Sequence, residues 1–429
     1  QSWVRLRGLV SYANKFTSKA QSYQLIDVLC HQWNTMGKRW IVILIIVGLV
    51  LSGCIGDEFL DMDNDGIEDS EDLDRDGDGW ENLIEIDCNS NPDNSEEMPN
   101  DLDGDTICDT LDEDIDGDDL PNDWESERGL DPLDQNDTII CHGLSKYCLR
   151  NYDNFTFPET HNAFATSEDG VILGTNHYTG LQAQWDGGIR AFMVDAHHLS
   201  DDETEAEDVR FCHGSPGQFP HPCAYSEVDA FEWLSLLNSQ MNLTDENCSF
   251  VCGEVVSILV ENYVPADHLE FLFNQTGILE RVFIHQLGEP WPSIGDMILQ
   301  KKDVVIYVQN DYNESYPYFH PAWKHSWDTP YGQQDKEEMT CELGRGDSSQ
   351  PVWHLSHWLS SIFGTADPYK AHEINEYDFL LNRTIECWEI MDRRPTFVAV
   401  DYWEDGEITN VTITLNKMEN WDDEIPPHP

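Results

Sequence analysis

The sequence predicts an α/β fold in which a parallel-stranded barrel follows an acidic stalk, and three observations carry that expectation. Beyond Cys141, short apolar runs alternate with longer helical stretches over about 280 residues, as crossover helices between parallel strands require. Histidines and carboxylates stand just after several of those apolar runs. Before Cys141, aspartate recurs at alternate positions in four registered segments. The expected strands are Asn154 to Phe157, Ile189 to Val194, Val209 to Cys212, Val255 to Val260, Arg281 to Ile284, Val304 to Val308 and Phe397 to Val400. Helical stretches lie between them, among them Asp229 to Gln240, Ala266 to Gln275 and Asn375 to Met391.

The stalk is read from its charge and its spacing. The 429-residue chain has 83 acidic and 23 basic residues, a formal charge of -60. Between Asp57 and Asp137 stand 34 of the acids against two basic residues, Arg75 and Arg128. A field of that sign disfavours nucleic acid as a partner and repels anionic lipid unless divalent cations intervene. Within the run, Asp74, Asp76, Asp78, Gly79, Asn82 and Glu85 occupy positions one, three, five, six, nine and twelve of an EF-hand-type calcium loop. Asp61, Asp63, Asp65, Gly66, Asp69 and Asp72 make a second loop, and Asp101, Asp103, Asp105, Asp109 and Asp112 a third. Asp114, Asp116, Asp118, Asn122 and Glu125 make the fourth. Starts fall 13 residues apart within each pair, and the pairs repeat after 40. Without the flanking helices of paired EF-hands, the spacing resembles thrombospondin type 3 repeats and related calcium stalks. A solvated acidic linker is the alternative, which four segments in one register disfavour. Ca2+ is expected to turn a self-repelling segment into a compact rod.

Residues 36–54 read as an export signal. The apolar run Ile41 to Gly53 follows Lys38 and Arg39, and about 13 residues suit a signal peptide better than a bilayer span. It ends in Leu51-Ser52-Gly53-Cys54, which resembles the lipobox of prokaryotic lipoproteins and makes Cys54 the lipidation site. Residues 1–35, ahead of Met36, form a leader without assigned function. The chain is therefore expected at the cell surface, anchored to the outer face of the membrane by lipid; a short transmembrane anchor is the alternative. The stalk is assigned to residues 55–137 and the barrel to 141–429. Apart from Cys30 and Cys54, ten cysteines remain, an even number that fits disulfides in an oxidising compartment without giving their connectivity.

In a parallel barrel, residues at strand C-termini gather on one face. That face would collect His161 and Asn162, Asp195, His213, and Glu261 with Asn262. Two imidazoles across a phosphodiester can take one proton and deliver another, with a cation or arginine stabilising charge on the phosphoryl oxygens. Thr160-His161-Asn162-Ala163-Phe164, Gly188-Ile189-Arg190-Ala191-Phe192-Met193-Val194-Asp195 and Phe211-Cys212-His213-Gly214 resemble the X-domain of phosphatidylinositol-specific phospholipase C. Leu259 to Val264 and Phe397 to Tyr402 extend the resemblance, which covers about residues 147–415 and is nearest the single-domain PLC-like phosphodiesterases. It implies a TIM-type (β/α) barrel that cleaves a phospholipid head group through a cyclic phosphate. By position it implies His161 and His213 as the acid–base pair, Arg190 on the phosphate, and Asp401 orienting His161. Asn162, Asp195 and Glu261 would be calcium ligands, while Met193 stands where the calcium-dependent branch has a further acidic ligand. The expected partner is a phospholipid or related phosphodiester, and no segment calls for an obligate protein partner. Two alternatives stay open: an inactive PLC-like binding or adhesion module, and a metal-dependent nuclease or glycerophosphodiesterase on the same barrel, which the acidity and the lack of a His-Arg-Gly entry motif disfavour. A zinc site built from His177, His197 and His198 is disfavoured, since no HxH or HExxH spacing holds them on one face.

Overall fold

The computed structural model describes residues 60–224, 227–246 and 250–429. The apolar run Ile41 to Gly53 and Cys54 lie outside these residues. No helix among the described residues is long and apolar enough to cross a membrane. The chain divides into two compact units, residues 1–100 and 101–429. The boundary thus falls between the two pairs of aspartate loops, and the second pair belongs to the barrel's unit.

Each pair of loops ends in a one-turn to two-turn helix, α1 (Asn82–Asp87) and α2 (Asn122–Arg128). The 40-residue repeat persists down to single hydrogen bonds. Asn82 Nδ2 donates to Asp72 O at 2.8 Å and its Oδ1 accepts from Arg75 N. Asn122 does the same with Asp112 O at 2.8 Å and Ile115 N. In both pairs a glycine lets one loop close on the other. A Cβ on Gly77 would sit 2.7 Å from Asp63 Oδ2, and one on Gly117 2.7 Å from Asp103 Oδ2, both at φ +71°.

The strands of the main sheet are β1 (Phe157–Thr160), β2 (Ala191–His198), β3 (Val209–Phe211), β4 (Val256–Asn262) and β5 (Val304–Val308). They continue with β6 (His320–Pro321), β7 (Ser326–Asp328), β8 (Val352–His357) and β9 (Phe397–Val400). Pairing follows the order β7-β8-β9-β1-β2-β4-β5-β6, every pair parallel. Although β5 and β8 are far apart along this path, the Tyr307 and His354 rings lie 6.3 Å apart. The sheet therefore curls onto its own interior. Its two ends, β6 and β7, share no ladder and are joined through α7 (Ala322–His325), which leaves one open seam.

Alternate strand residues explain the two layers. Phe157, Met193, Leu259, Val305, Tyr307 and Phe397 fill the interior, while Phe192, Val194, Ile258, Val260, Ile306 and Val398 face the surrounding helices. Those helices include α3 (Leu181–Asp186), α4 (Ala230–Glu246) and α5 (Ala266–Gln275), while Ile294, Met297 and Ile298 of α6 (Ile294–Leu299) join the interior cluster. Further along come α8 (Pro368–Ile374), α9 (Tyr377–Met391) and α10 (Ile408–Lys417). Disulfides join Cys141 to Cys148, Cys212 to Cys223 and Cys341 to Cys387.

Three expected strands differ. Asn154 to Phe157 is displaced: Tyr152–Asn154 is a 3-10 turn, and the strand starts at Phe157 and runs to Thr160. Arg281 to Ile284 is not a strand: Ile278–Arg281 is a 3-10 turn, and only Val282 bridges to Val304. Arg281 is turned inward there to pair with Asp303 and Asp245, which removes it from an extended run. The run Val209 to Cys212 is a strand, but antiparallel to the end of β2 and outside the barrel. Strands β6, β7 and β8 carry buried His320, Asp328, His354, Ser356 and His357, so they show no apolar run to read.

Candidate active site

Every residue expected at the C-terminal ends of the strands is there except one. β1 ends at Thr160, and His161 follows with its amide bound to Val400 O of β9. The adjacent Asn162 takes a left-handed φ of 50°, a conformation costly for a non-glycine residue, which turns the chain sharply away from the strand. His161 Nδ1 lies 3.0 Å from Asp401 Oδ1, just beyond β9. Asp401 is 2 % exposed and accepts from Asn176 Nδ2 at 2.6 Å as well. With the carboxylate ionised, Nδ1 must carry the proton, which leaves His161 Nε2 for a substrate. Trp358 stacks on the His161 ring at 4.2 Å and 12°, closing its other freedom of rotation.

His213 follows β3 inside the loop closed by the Cys212–Cys223 bridge. Burial, then the charge of His161, holds the His213 pKa below the usual 6.5. A side chain at Gly174 would come within 3.4 Å of His213 Nδ1, so that segment passes close to the ring.

Asp195 and Glu261 are paired in register on β2 and β4. Asp195 lies within β2 rather than at its end, because β2 runs on to His198 where β3 pairs with it. Burial, then repulsion from Glu261, drives the Asp195 pKa well above its normal value. Glu261 accepts the Tyr263 hydroxyl at 2.8 Å. Two neighbouring carboxylates suit either a shared proton or a cation. With Asn162 they offer oxygens of the kind calcium takes, but fewer than the six to eight it needs, so substrate or water would complete the shell. Met193 packs into the barrel interior and supplies no oxygen.

Arg190 is the exception and corrects the expectation that it contacts phosphate. It precedes β2, at the opposite end of the barrel from His161. There it pairs with Glu254, donates to Trp185 O and Ile189 O at 2.7 Å, and lies over the Trp185 ring at 3.8 Å. Burial lowers its pKa to about 9. Parallel strands separate their two ends by their own length, so a residue at a strand's start cannot serve a site at its finish.

The histidines weighed for zinc do not converge. His177 Nε2 is bound to His161 O at 2.8 Å, His197 Nε2 to Gly214 O at 3.0 Å, and His198 faces His268 at 3.0 Å. Two residues that sequence reasoning missed complete the site: Asn176, linking Asp401 to the Asn162 amide, and Trp358. Asn176 was concealed because its partner Asp401 lies 225 residues away, and Trp358 because it comes from a different strand end.

The stalk loops bring their ligands together. Among the described residues, the clusters able to offer three acidic oxygens within 4.8 Å are Asp61/Asp63/Asp65, Asp74/Asp76/Asp78, Asp101/Asp103/Asp105 and Asp114/Asp116/Asp118. The first aspartate of each accepts the same backbone N–H five residues on, from Gly66, Gly79, Thr106 and Asp119. In the second and fourth loops the closing Glu85 and Glu125 are fully buried. Both oxygens of Glu125, both of Asp116 and one of Glu85 have no hydrogen-bond partner. Burial, then Asp118, pushes Asp116 up to about 6 and Glu125 up to about 8. Buried carboxylate oxygens without donors fit a divalent cation, which would hold them ionised.

A curled parallel sheet presenting paired histidines and acidic strand ends defines a PLC-like phosphodiesterase fold. The profile of the PI-PLC X 1 family matches residues 147–416, and the chain belongs to the PI-PLC X-domain family. It is 26 % identical over 297 residues to the PI-PLC X domain-containing protein 1 of Arthroderma benhamiae, covering 65 % of this chain and 90 % of that one. An uncharacterized secreted protein of the same fungus is 22 % identical over 320 residues, 68 % of this chain and 67 % of the relative. Among solved structures, a phosphatidylinositol-specific phospholipase C from Staphylococcus aureus matches with a TM-score of 0.37 at 12 % identity, over 63 % of this chain and 94 % of its own.

Proposed function

We propose that this chain is a cell-surface phosphodiesterase of the PLC type, carried on a calcium-stabilised stalk and acting on a phospholipid or related head group. The observation that carries the reading is the His161–Asp401 pair, held by Asn176 on the same segment that passes His213 at Gly174. In this reading His161 Nε2 takes the proton of a hydroxyl next to the phosphodiester, and the oxygen attacks phosphorus. Asp401 stabilises the imidazolium that forms. His213 delivers a proton to the leaving alkoxide, and the charge arriving on His161 makes His213 a stronger acid as it does so. The product is a cyclic phosphate and a free alcohol. Asn162, Asp195 and Glu261 would hold a calcium ion that supplies charge stabilisation for the phosphoryl oxygens. Export and anchoring through Cys54 rest on the lipobox, and a secreted relative is in keeping with export.

The test is release of phosphorylated head group from phospholipid vesicles with calcium and with chelator. His161→Ala and His213→Ala should each lower the rate about 100-fold or more. Wild-type rates in either variant would end the assignment. A silent binding module is the second reading, favoured by Met193 in place of a ligand and by the remoteness of Arg190. It predicts no turnover on any head group while binding persists.

A further inference from the structure

Helix α2 has two working faces. On one, Glu125 is fully buried with both carboxylate oxygens unpartnered, beside Asp114, Asp116 and Asp118 of the fourth loop. On the other, the helix meets the barrel. Arg128 grips Asp296 of α6 with two bonds, Nε to Oδ1 at 3.0 Å and Nη2 to Oδ2 at 3.1 Å. Its guanidinium lies 4.1 Å over the Trp124 ring. Trp124 in turn lies so close to Gly295 that a Cβ there would sit 2.8 Å from its Cζ2. Leu120, just ahead of the helix, is fully buried in the interior cluster that includes Ile294 and Ile298, and Leu130 packs against it.

The repeat separates these two roles. Forty residues earlier, Glu85 stands where Glu125 does, but Trp124 and Arg128 are matched by Ile84 and Cys88. The ligand position recurs while the docking residues do not. A helix of seven residues is too short to hold its own shape in water. Its conformation must be imposed from outside, by the loop on one face and the barrel on the other.

We propose that α2 is a calcium-dependent clamp: cation binding in the fourth loop fixes the helix that docks on α6, so calcium occupancy and docking stabilise each other. The proposal rests on the calcium reading of the stalk. Without the ion, four neighbouring carboxylates repel and release α2, and the Trp124 and Arg128 contacts go with it. Reciprocity requires that docking strengthen calcium binding by the factor by which calcium strengthens docking, so losing the dock weakens that calcium site.

Two measurements on the full chain test it: calcium stoichiometry and affinity by calorimetry, and amide hydrogen exchange over residues 292–299. Chelator should speed exchange in that segment at least tenfold. Glu125→Gln should remove one calcium and speed exchange there even in saturating calcium, whereas Glu85→Gln should remove one calcium and leave the segment protected. Arg128→Ala should weaken one calcium site about fivefold or more. If calcium binds but chelator and Glu125→Gln leave residues 292–299 protected, or if Glu85→Gln exposes them equally, the clamp is refuted and the calcium reading stands. If no calcium binds at millimolar concentration, the calcium reading itself fails and takes the clamp with it.

Discussion

His161 is oriented by a carboxylate 240 residues away in sequence, and its ring is held by a tryptophan from a third strand end. Such a site places a sharp demand on Asp401. Asp401→Asn keeps the shape but can no longer hold Nδ1 in its protonated tautomer against a full negative charge. It should lower kcat about 100-fold or more with KM little changed, read from initial rates of head-group release. Arg190 makes the opposite prediction. Buried with Glu254 at the far end of the barrel, it matters for folding and not for phosphate. Arg190→Met leaves the Glu254 charge uncompensated and should cost about 3–5 kcal/mol in denaturant unfolding, while kcat of the folded fraction stays at the wild-type value. Both histidines were legible because each stands beside a strand end in a distinctive local motif. Asn176 and Trp358 were not, since nothing local marks a residue whose partner is remote.

At the level of elements, the aspartate loops were the most legible part of the chain. Their ligands come from alternate residues of one short segment, so spacing alone specifies geometry. The closing glycines show how tightly that geometry is drawn. Gly117→Ala would press a Cβ against Asp103 Oδ2 and force a side chain into a left-handed backbone. It should separate the third loop from the fourth and weaken calcium binding in that pair, seen by calorimetry as two of the sites losing affinity together. The barrel strands divide differently. β2, β4, β5 and β9 were readable from apolar runs, β1 begins only where the expected strand ends because Pro158, Glu159 and Thr160 hide it, and β8 hides behind buried histidines. There His354 Nδ1 meets Glu159 at 2.8 Å inside the barrel, a pairing that makes a polar residue an interior one.

Across the whole molecule, burial of neutral histidines sets a limit on acid tolerance. His142 accepts the Val255 amide at Nε2, a role only the neutral ring can fill, and His320 accepts the His285 amide while donating to Ile306 O, so it uses both ring nitrogens in its neutral form. Burial lowers both to about 3 from the usual 6.5. A folded-state pKa below the unfolded one gives stability that is complete above pH 6.5 and is lost as pH falls toward 3. At pH 5 each should cost about 2 kcal/mol relative to pH 7.5, and His320→Asn should flatten part of that slope in thermal melts. The sequence by itself determined the architecture class, the four acidic loops and the placement of His161 and His213 beside strand ends, because alternation, fixed spacing and short motifs are local properties of a chain. Only the tertiary structure decided which end of the barrel each residue serves. It removed Arg190 from the site, brought Asn176 and Trp358 around the expected His161–Asp401 pair, and joined the second pair of aspartate loops to the barrel. Those outcomes depend on strand direction and on side chains meeting across long stretches of sequence, and neither is written in any single segment.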